Sequence, residues 1–148
     1  MRLLDHQDIR GYLNPAQLGQ ADPIELLTVE GSRQVLEMSQ IKCIYFVREF
    51  VENFEPERKA FVSRPKLDGL WVRLRFRDED TIEGIVPNNL LELLDRGVQI
   101  TPPDLHGECL RMFIPRSALL EMTALGLVGV ARRKPAAVEV AQPRLFNE

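Results

Sequence analysis

Cysteine, histidine and tryptophan are scarce in this chain: two, two and one in 148 residues. Cys43 and Cys109 lie far apart in apolar surroundings, Ile41-Lys42-Cys43-Ile44 and Glu108-Cys109-Leu110. They are expected as buried free thiols, which pack as small hydrophobes. There is no CxxC pair and no His/Cys cluster, so a zinc site is not expected. No apolar run approaches the ~20 residues of a membrane span. Met1-Arg2-Leu3-Leu4-Asp5-His6 lacks the apolar stretch of a signal peptide. The expectation is a cytoplasmic protein with no membrane partner. Ser/His/Asp, HExxH, P-loop and GxGxxG patterns are missing as well. His6 and His106 both fall in polar turns, whereas a general base needs a positioned partner and a pocket. No catalysis, no cofactor and no metal is therefore expected.

What is present is ordinary globular material. Hydrophobic residues make up 45% and charged residues 28%, enough for a core without disulfides. The formal charge of −3 argues against a generic polyanion binder but leaves room for a local basic face.

The most informative feature is internal repetition. Arg2-Leu3-Leu4-Asp5-His6-Gln7-Asp8-Ile9-Arg10-Gly11-Tyr12-Leu13 aligns with Arg75-Phe76-Arg77-Asp78-Glu79-Asp80-Thr81-Ile82-Glu83-Gly84-Ile85-Val86 at a constant offset of 73. Each segment reads as strand, polar turn and second strand, with Asp5–Asp8 and Asp78–Thr81 as the turns. Gly11 and Gly84 fall inside the second strand, where glycine marks a bend or a close backbone approach. Pro23 to Thr28 resembles Gly97 to Thr101, and Val35 to Ile44 resembles Met112 to Met122. Short strands at this spacing predict small barrels or sandwiches. The fold class is therefore mainly β: two tandem small bent-sheet barrels with short helical turns. The units are 1–47 and 69–129, with a linker over 48–68 and a flexible, basic, proline-containing tail over 130–148. The first unit begins at Met1 with a shortened first strand, which leaves an edge for the other unit or another subunit to close. In the linker, a helical turn is expected near Pro56 to Phe61, with Phe50, Phe54 and Phe61 packing on a barrel. Asn88 to Asp95 reads as a helical turn or a strand.

The order of strand, Asp-rich turn, strand with Gly84 and late Ile114-Pro115-Arg116-Ser117-Ala118-Leu119 segment resembles the Sm-like (SH3-like) barrel. Arg64-Pro65, Gly69-Leu70-Trp71-Val72, Phe76-Arg77-Asp78, Glu83-Gly84, Pro102-Pro103-Asp104 and Phe113-Ile114-Pro115-Arg116 together resemble an uncharacterised bacterial family, over roughly Ile41 to Gly129. That resemblance implies no activity, and a fold does not establish one. RNA-binding Sm-like proteins use an Asp/Asn pair and an Arg-Gly pair. Asn88 or Asn89 stands in the first motif. The second departs, with Pro115 at the arginine position and Arg116 at the glycine position.

Two surfaces carry candidate contacts. Arg73, Arg75 and Arg77 alternate with Val72, Leu74 and Phe76, which puts the arginines on one strand face about 7 Å apart. That spacing matches successive phosphates, and Trp71 on the same side is placed to stack a base. The candidate nucleic-acid residues are thus Trp71, Arg73, Arg75, Arg77, Asn88 and Arg116. The competing reading, favoured by nearby Asp78, Glu79, Asp80 and Glu83, is a solvated face of weak ion pairs. In the tail, Gln142, Leu145 and Phe146 fit the loose Gln-x-x-Leu-Phe pattern of peptides that dock on the DNA sliding clamp. The leading expectation is a non-catalytic binding or assembly module, with an unknown protein partner or a homo-oligomer. RNA or single-stranded DNA binding is the rival. If there is one working surface, it is expected on the second unit.

Overall fold

In the computed structural model, the residues described are 1–20, 22–56, 58–93, 95–103 and 109–129. The chain is mainly β. The first half contains β1 (Arg2–Leu3), β2 (Gly11–Tyr12), β3 (Ile24–Thr28), β4 (Arg33–Leu36) and β5 (Ile41–Val47). The second contains β6 (Gly69–Phe76), β7 (Thr81–Val86), the short helix α1 (Leu90–Leu93), β8 (Gly97–Ile100), β9 (Cys109–Pro115) and β10 (Leu119–Val128). A 3-10 turn precedes the last strand of each half, Met38–Gln40 before β5 and Arg116–Ala118 before β10. No helix among the described residues is long and apolar enough to cross a membrane.

The ladders form three open antiparallel sheets, β1-β5-β9-β8, β10-β6-β7 and β2-β3-β4. Two closed barrels were the expectation, and the ladders correct it. The edge of β5 away from β1 pairs with β9 of the other half. In the second half, β7 meets β8 only through the bridge Ile85↔Thr101.

The repetition in sequence recurs in the hydrogen bonding. In the first turn Leu3 N donates to Gln7 O and His6 N to Leu3 O; in the second, Phe76 N donates to Asp80 O and Glu79 N to Phe76 O. His6 and Glu79 share left-handed backbone, with φ of 70° and 71°. The bulged pairing Arg2↔Cys43, Leu3↔Ile41 has the same form as Arg75↔Glu121, Phe76↔Leu119. Ile24↔Leu36, Glu25↔Val35 and Leu26↔Gln34 correspond likewise to Val98↔Ile114, Gln99↔Phe113 and Ile100↔Met112. β1, β3, β4 and β5 thus correspond to β6, β8, β9 and β10 in these pairings, whereas β2 and β7 differ: β2 pairs with β3, and β7 with β6.

The apolar residues of these strands form two clusters. Val72, Leu74, Phe76, Ile82, Val86, Val98, Ile100 and Ile114 lie at the centre of one, together with Cys43 and Cys109. Leu3, Leu18, Ile24, Leu36, Met38, Ile41 and Ile44 make the other, and Phe113 from β9 completes it. Neither cysteine forms a disulfide and both are buried. Gly11 and Gly84 mark close approaches. A Cβ on Gly11 would run into the Leu27 carbonyl, and one on Gly84 would lie 2.7 Å from Ile100 Cδ1.

The linker is not helical at 58–61. It runs beside β7, with Lys59 O accepting from Glu83 N at 2.7 Å. That long-range hydrogen bond outweighs the local preference of a proline start. Phe50, Phe54 and Phe61 pack on Tyr12, Tyr45 and Trp71 respectively. Within Asn88 to Asp95 a helical turn forms over Leu90–Leu93, with Asn89 Oδ1 accepting from Leu91 N.

Candidate functional site

The arginine face forms as the alternation predicts. Val72, Leu74 and Phe76 are buried, while Arg73 and Arg77 are exposed and Arg75 half-buried. Acids and carbonyls engage the guanidinium groups. Arg75 contacts Glu121 at 3.1 Å and Glu79 at 2.9 Å, and these bonds raise its pKa. Arg77 Nε donates to Ser117 O at 2.7 Å. Arg73 is the loosest, 3.9 Å from Glu83. Trp71 is half-buried, with Nε1 donating to Glu83 and its ring edge-on to Phe61. Arg116 Nη2 donates to Leu93 O, which ties the 3-10 turn to α1. Asn88 is exposed before α1. These residues thus split between an ion-paired face and a structural tie. Gln142, Leu145 and Phe146 lie outside the described residues, as does His106.

A second ionic cluster joins the halves. Lys42 of β5 is 5% exposed and donates to Asp78 at 2.7 Å and Asp80 at 3.1 Å, both in the second-half turn. Burial opposes the ammonium charge, but the two hydrogen bonds prevail and the Lys42 pKa is raised. Burial likewise opposes charge on Asp78 and Asp80, and the lysine bonds prevail and lower both. Lys59 also reaches Asp80, at 2.9 Å.

A cleft of about 970 Å³ is walled by Tyr12, Tyr45, Phe46, Phe50 and Phe54 among others. Asp8 faces it but is clamped by Arg2, whose hydrogen bonds hold its carboxyl below the usual range. Arg2 is further held by Phe54 O and Glu55. A carboxylate so engaged is a poor general base. Tyr45 is pushed up, first by burial. Among the described residues, no group of three His, Cys, Asp or Glu side chains is arranged to hold a metal.

The third surface is an edge. Among the described residues, β10 pairs only with β6 and β4 only with β3. β10 exposes Leu120, Met122 and Leu127, and β4 exposes Val35. A depression of about 200 Å³ beside β10 is lined by Leu93, Val98, Leu119 and Met122 among others. Arg33 and Glu25 form an ion pair near the β4 edge. β10 and β4 carry none of the residues expected from the sequence as contacts. The signal for the β10 edge was available in Leu119 to Val128, ten residues with one acid, no base and no proline.

No curated protein and no solved structure matches the chain. One family model does, over residues 1–126, and the chain belongs to that family, DUF6982, a family of unknown function.

Proposed function

We propose that this protein is a non-catalytic assembly module, made of two like β units joined edge to edge, that takes a protein partner along the outer edge of β10. The reading rests on one observation: β5 of the first half pairs with β9 of the second through four residue pairs. The chain thus already uses strand addition as its joint, and strand addition to an open edge is a general mode of protein recognition. The matched ladders of the two halves support the two-unit division. Two cysteines that are not joined in a disulfide suit a reducing compartment such as the cytoplasm.

The test is a photo-activated benzoylphenylalanine at position 122 of the full chain, in the cells that make it. Irradiation is expected to give a covalent protein adduct. The same group at Val62, an exposed linker position, is expected to give none. Absence of an adduct at 122 would overturn the reading.

Nucleic-acid binding stands second, favoured only by Arg73, which is exposed and loosely paired. Its test is binding of single-stranded RNA or DNA that weakens steeply with salt and on changing Arg73, Arg75 and Arg77 to Ala. Clamp docking by Gln142, Leu145 and Phe146 predicts loss of clamp binding on Leu145→Ala with Phe146→Ala.

A further inference from the structure

We propose that the partner at the β10 edge is the β4 edge of a second copy of this chain. This rests on the assembly reading and adds the partner and the register.

The argument starts from the joint inside the chain. There Ile44 pairs with Phe113, Tyr45 with Met112 and Phe46 with Arg111. Ile44 and Phe113 are 5% and 3% exposed, and Phe113 sits among Leu3, Ile24, Leu36 and Ile41. The matched ladders identify the residues in the same places at the chain's two outer edges. Leu119 pairs with Phe76 as Ile41 pairs with Leu3, and Glu121 with Arg75 as Cys43 with Arg2. One residue further along, Met122 therefore occupies the place of Ile44. Val35 pairs with Glu25 as Phe113 pairs with Gln99, so Val35 occupies the place of Phe113.

These two apolar residues are open to solvent. Met122 is 37% exposed and Val35 52%. The depression beside β10 is walled by Val98, Leu119 and Met122, the counterparts of Ile24, Ile41 and Ile44 that hold Phe113. It is the second-half form of the Phe113 seat. Repeating the joint between copies places Val35 of one copy in the depression of the next. The ladder is then Met122↔Val35, Thr123↔Gln34 and Ala124↔Arg33. Arg64 caps the Leu127 carbonyl at the other end of β10, clear of these pairs. β10 also has no lysine or proline, the residues that commonly guard free edges against pairing.

The two edges differ, so the contact is heterologous. Copies join head to tail into a ring or a filament rather than a twofold dimer.

Sedimentation velocity on the full chain tests this. The wild type is expected to sediment as species larger than a monomer. Met122→Arg spoils the β10 edge alone and Val35→Arg the β4 edge alone, so each is expected to be monomeric with an unchanged circular-dichroism spectrum. Mixed one to one, they retain one good edge each and are expected to form a dimer and nothing larger. If Met122→Arg loses its β spectrum, Thr123→Arg, exposed on the same edge, takes its place. A monomeric wild type up to its solubility limit, or a mixture that stays monomeric, would overturn the proposal. If the wild type is monomeric while position 122 cross-links to a different protein, the second-copy partner falls and the assembly reading stands. A monomer with no adduct overturns both.

Discussion

Lys42 shows how one side chain ties the halves. Its Nζ lies over the Phe76 ring, 4.8 Å from the centroid, and holds Asp78 and Asp80. Removing one partner of a fully buried ion pair costs about 3–5 kcal/mol. Here the carboxylates keep some water contact, so Lys42→Met is expected to cost about 1–3 kcal/mol, read as the urea midpoint at neutral pH. Asp78 and Asp80 have lowered pKa values in the folded chain. Their stabilisation is present above the unfolded carboxylate value of about 3.9 and is lost as pH falls through the folded values. Below about pH 4 the wild type should therefore lose stability more steeply than Lys42→Met. Equal slopes in thermal unfolding across that range would refute the role given to the pair. Gly84 makes a second residue-level case. Ile100 is 1% exposed and fills the space a Cβ would need. Gly84→Ala should cost about 1–3 kcal/mol by overpacking, partly restored by Ile100→Val.

At the scale of elements, β5 and β10 are the instructive pair. Both follow a 3-10 turn and both pair through a bulge with the first strand of their half. Among the described residues, β5 has a partner on each edge, and β10 has one on a single edge. Outward-facing amides of β10 should exchange hydrogen quickly in dilute protein and slowly when it is concentrated. The β5 amides should be protected throughout. Exchange in β10 that ignores concentration would count against self-pairing. Much at this scale was legible in the sequence. The constant offset between Arg2–Leu13 and Arg75–Val86 identified both turns, and the alternation of Val72, Leu74 and Phe76 identified the buried face. Two features were not legible. Glu83 N is satisfied by a carbonyl 24 residues upstream, at Lys59, so the helical turn expected near Pro56 did not form. The partner of β5 was equally hidden, because β-pairing is chosen by packing across distant segments rather than by local pattern.

Across the whole molecule, Phe113 and Lys42 each tie one half to the other. Phe113 belongs to a second-half strand but fills the first-half core. Phe113→Ala should cost about 3–5 kcal/mol, with fluorescence of Trp71 and far-ultraviolet circular dichroism still reporting one coincident transition. Two separated transitions would mean that the halves are stable independently. The arginine face was fully legible as a face but not as a function. Sequence shows which side the guanidinium groups share, while Glu79, Glu83 and Glu121 arrive from three places in the chain to engage them. Val35 and Met122 are matched only through the pairing of Ile44 with Phe113, which no local pattern encodes.

The joint within the chain is proposed to continue between chains in the same register. Val35→Cys with Met122→Cys in one chain tests it directly, since Cys43 and Cys109 are buried. Mild oxidation should give a ladder of intermolecular disulfides on a non-reducing gel, with peptides bearing positions 35 and 122 joined. Val62→Cys with Met122→Cys should give none. No ladder from the 35/122 variant, or an equal ladder from the 62/122 control, would contradict the account.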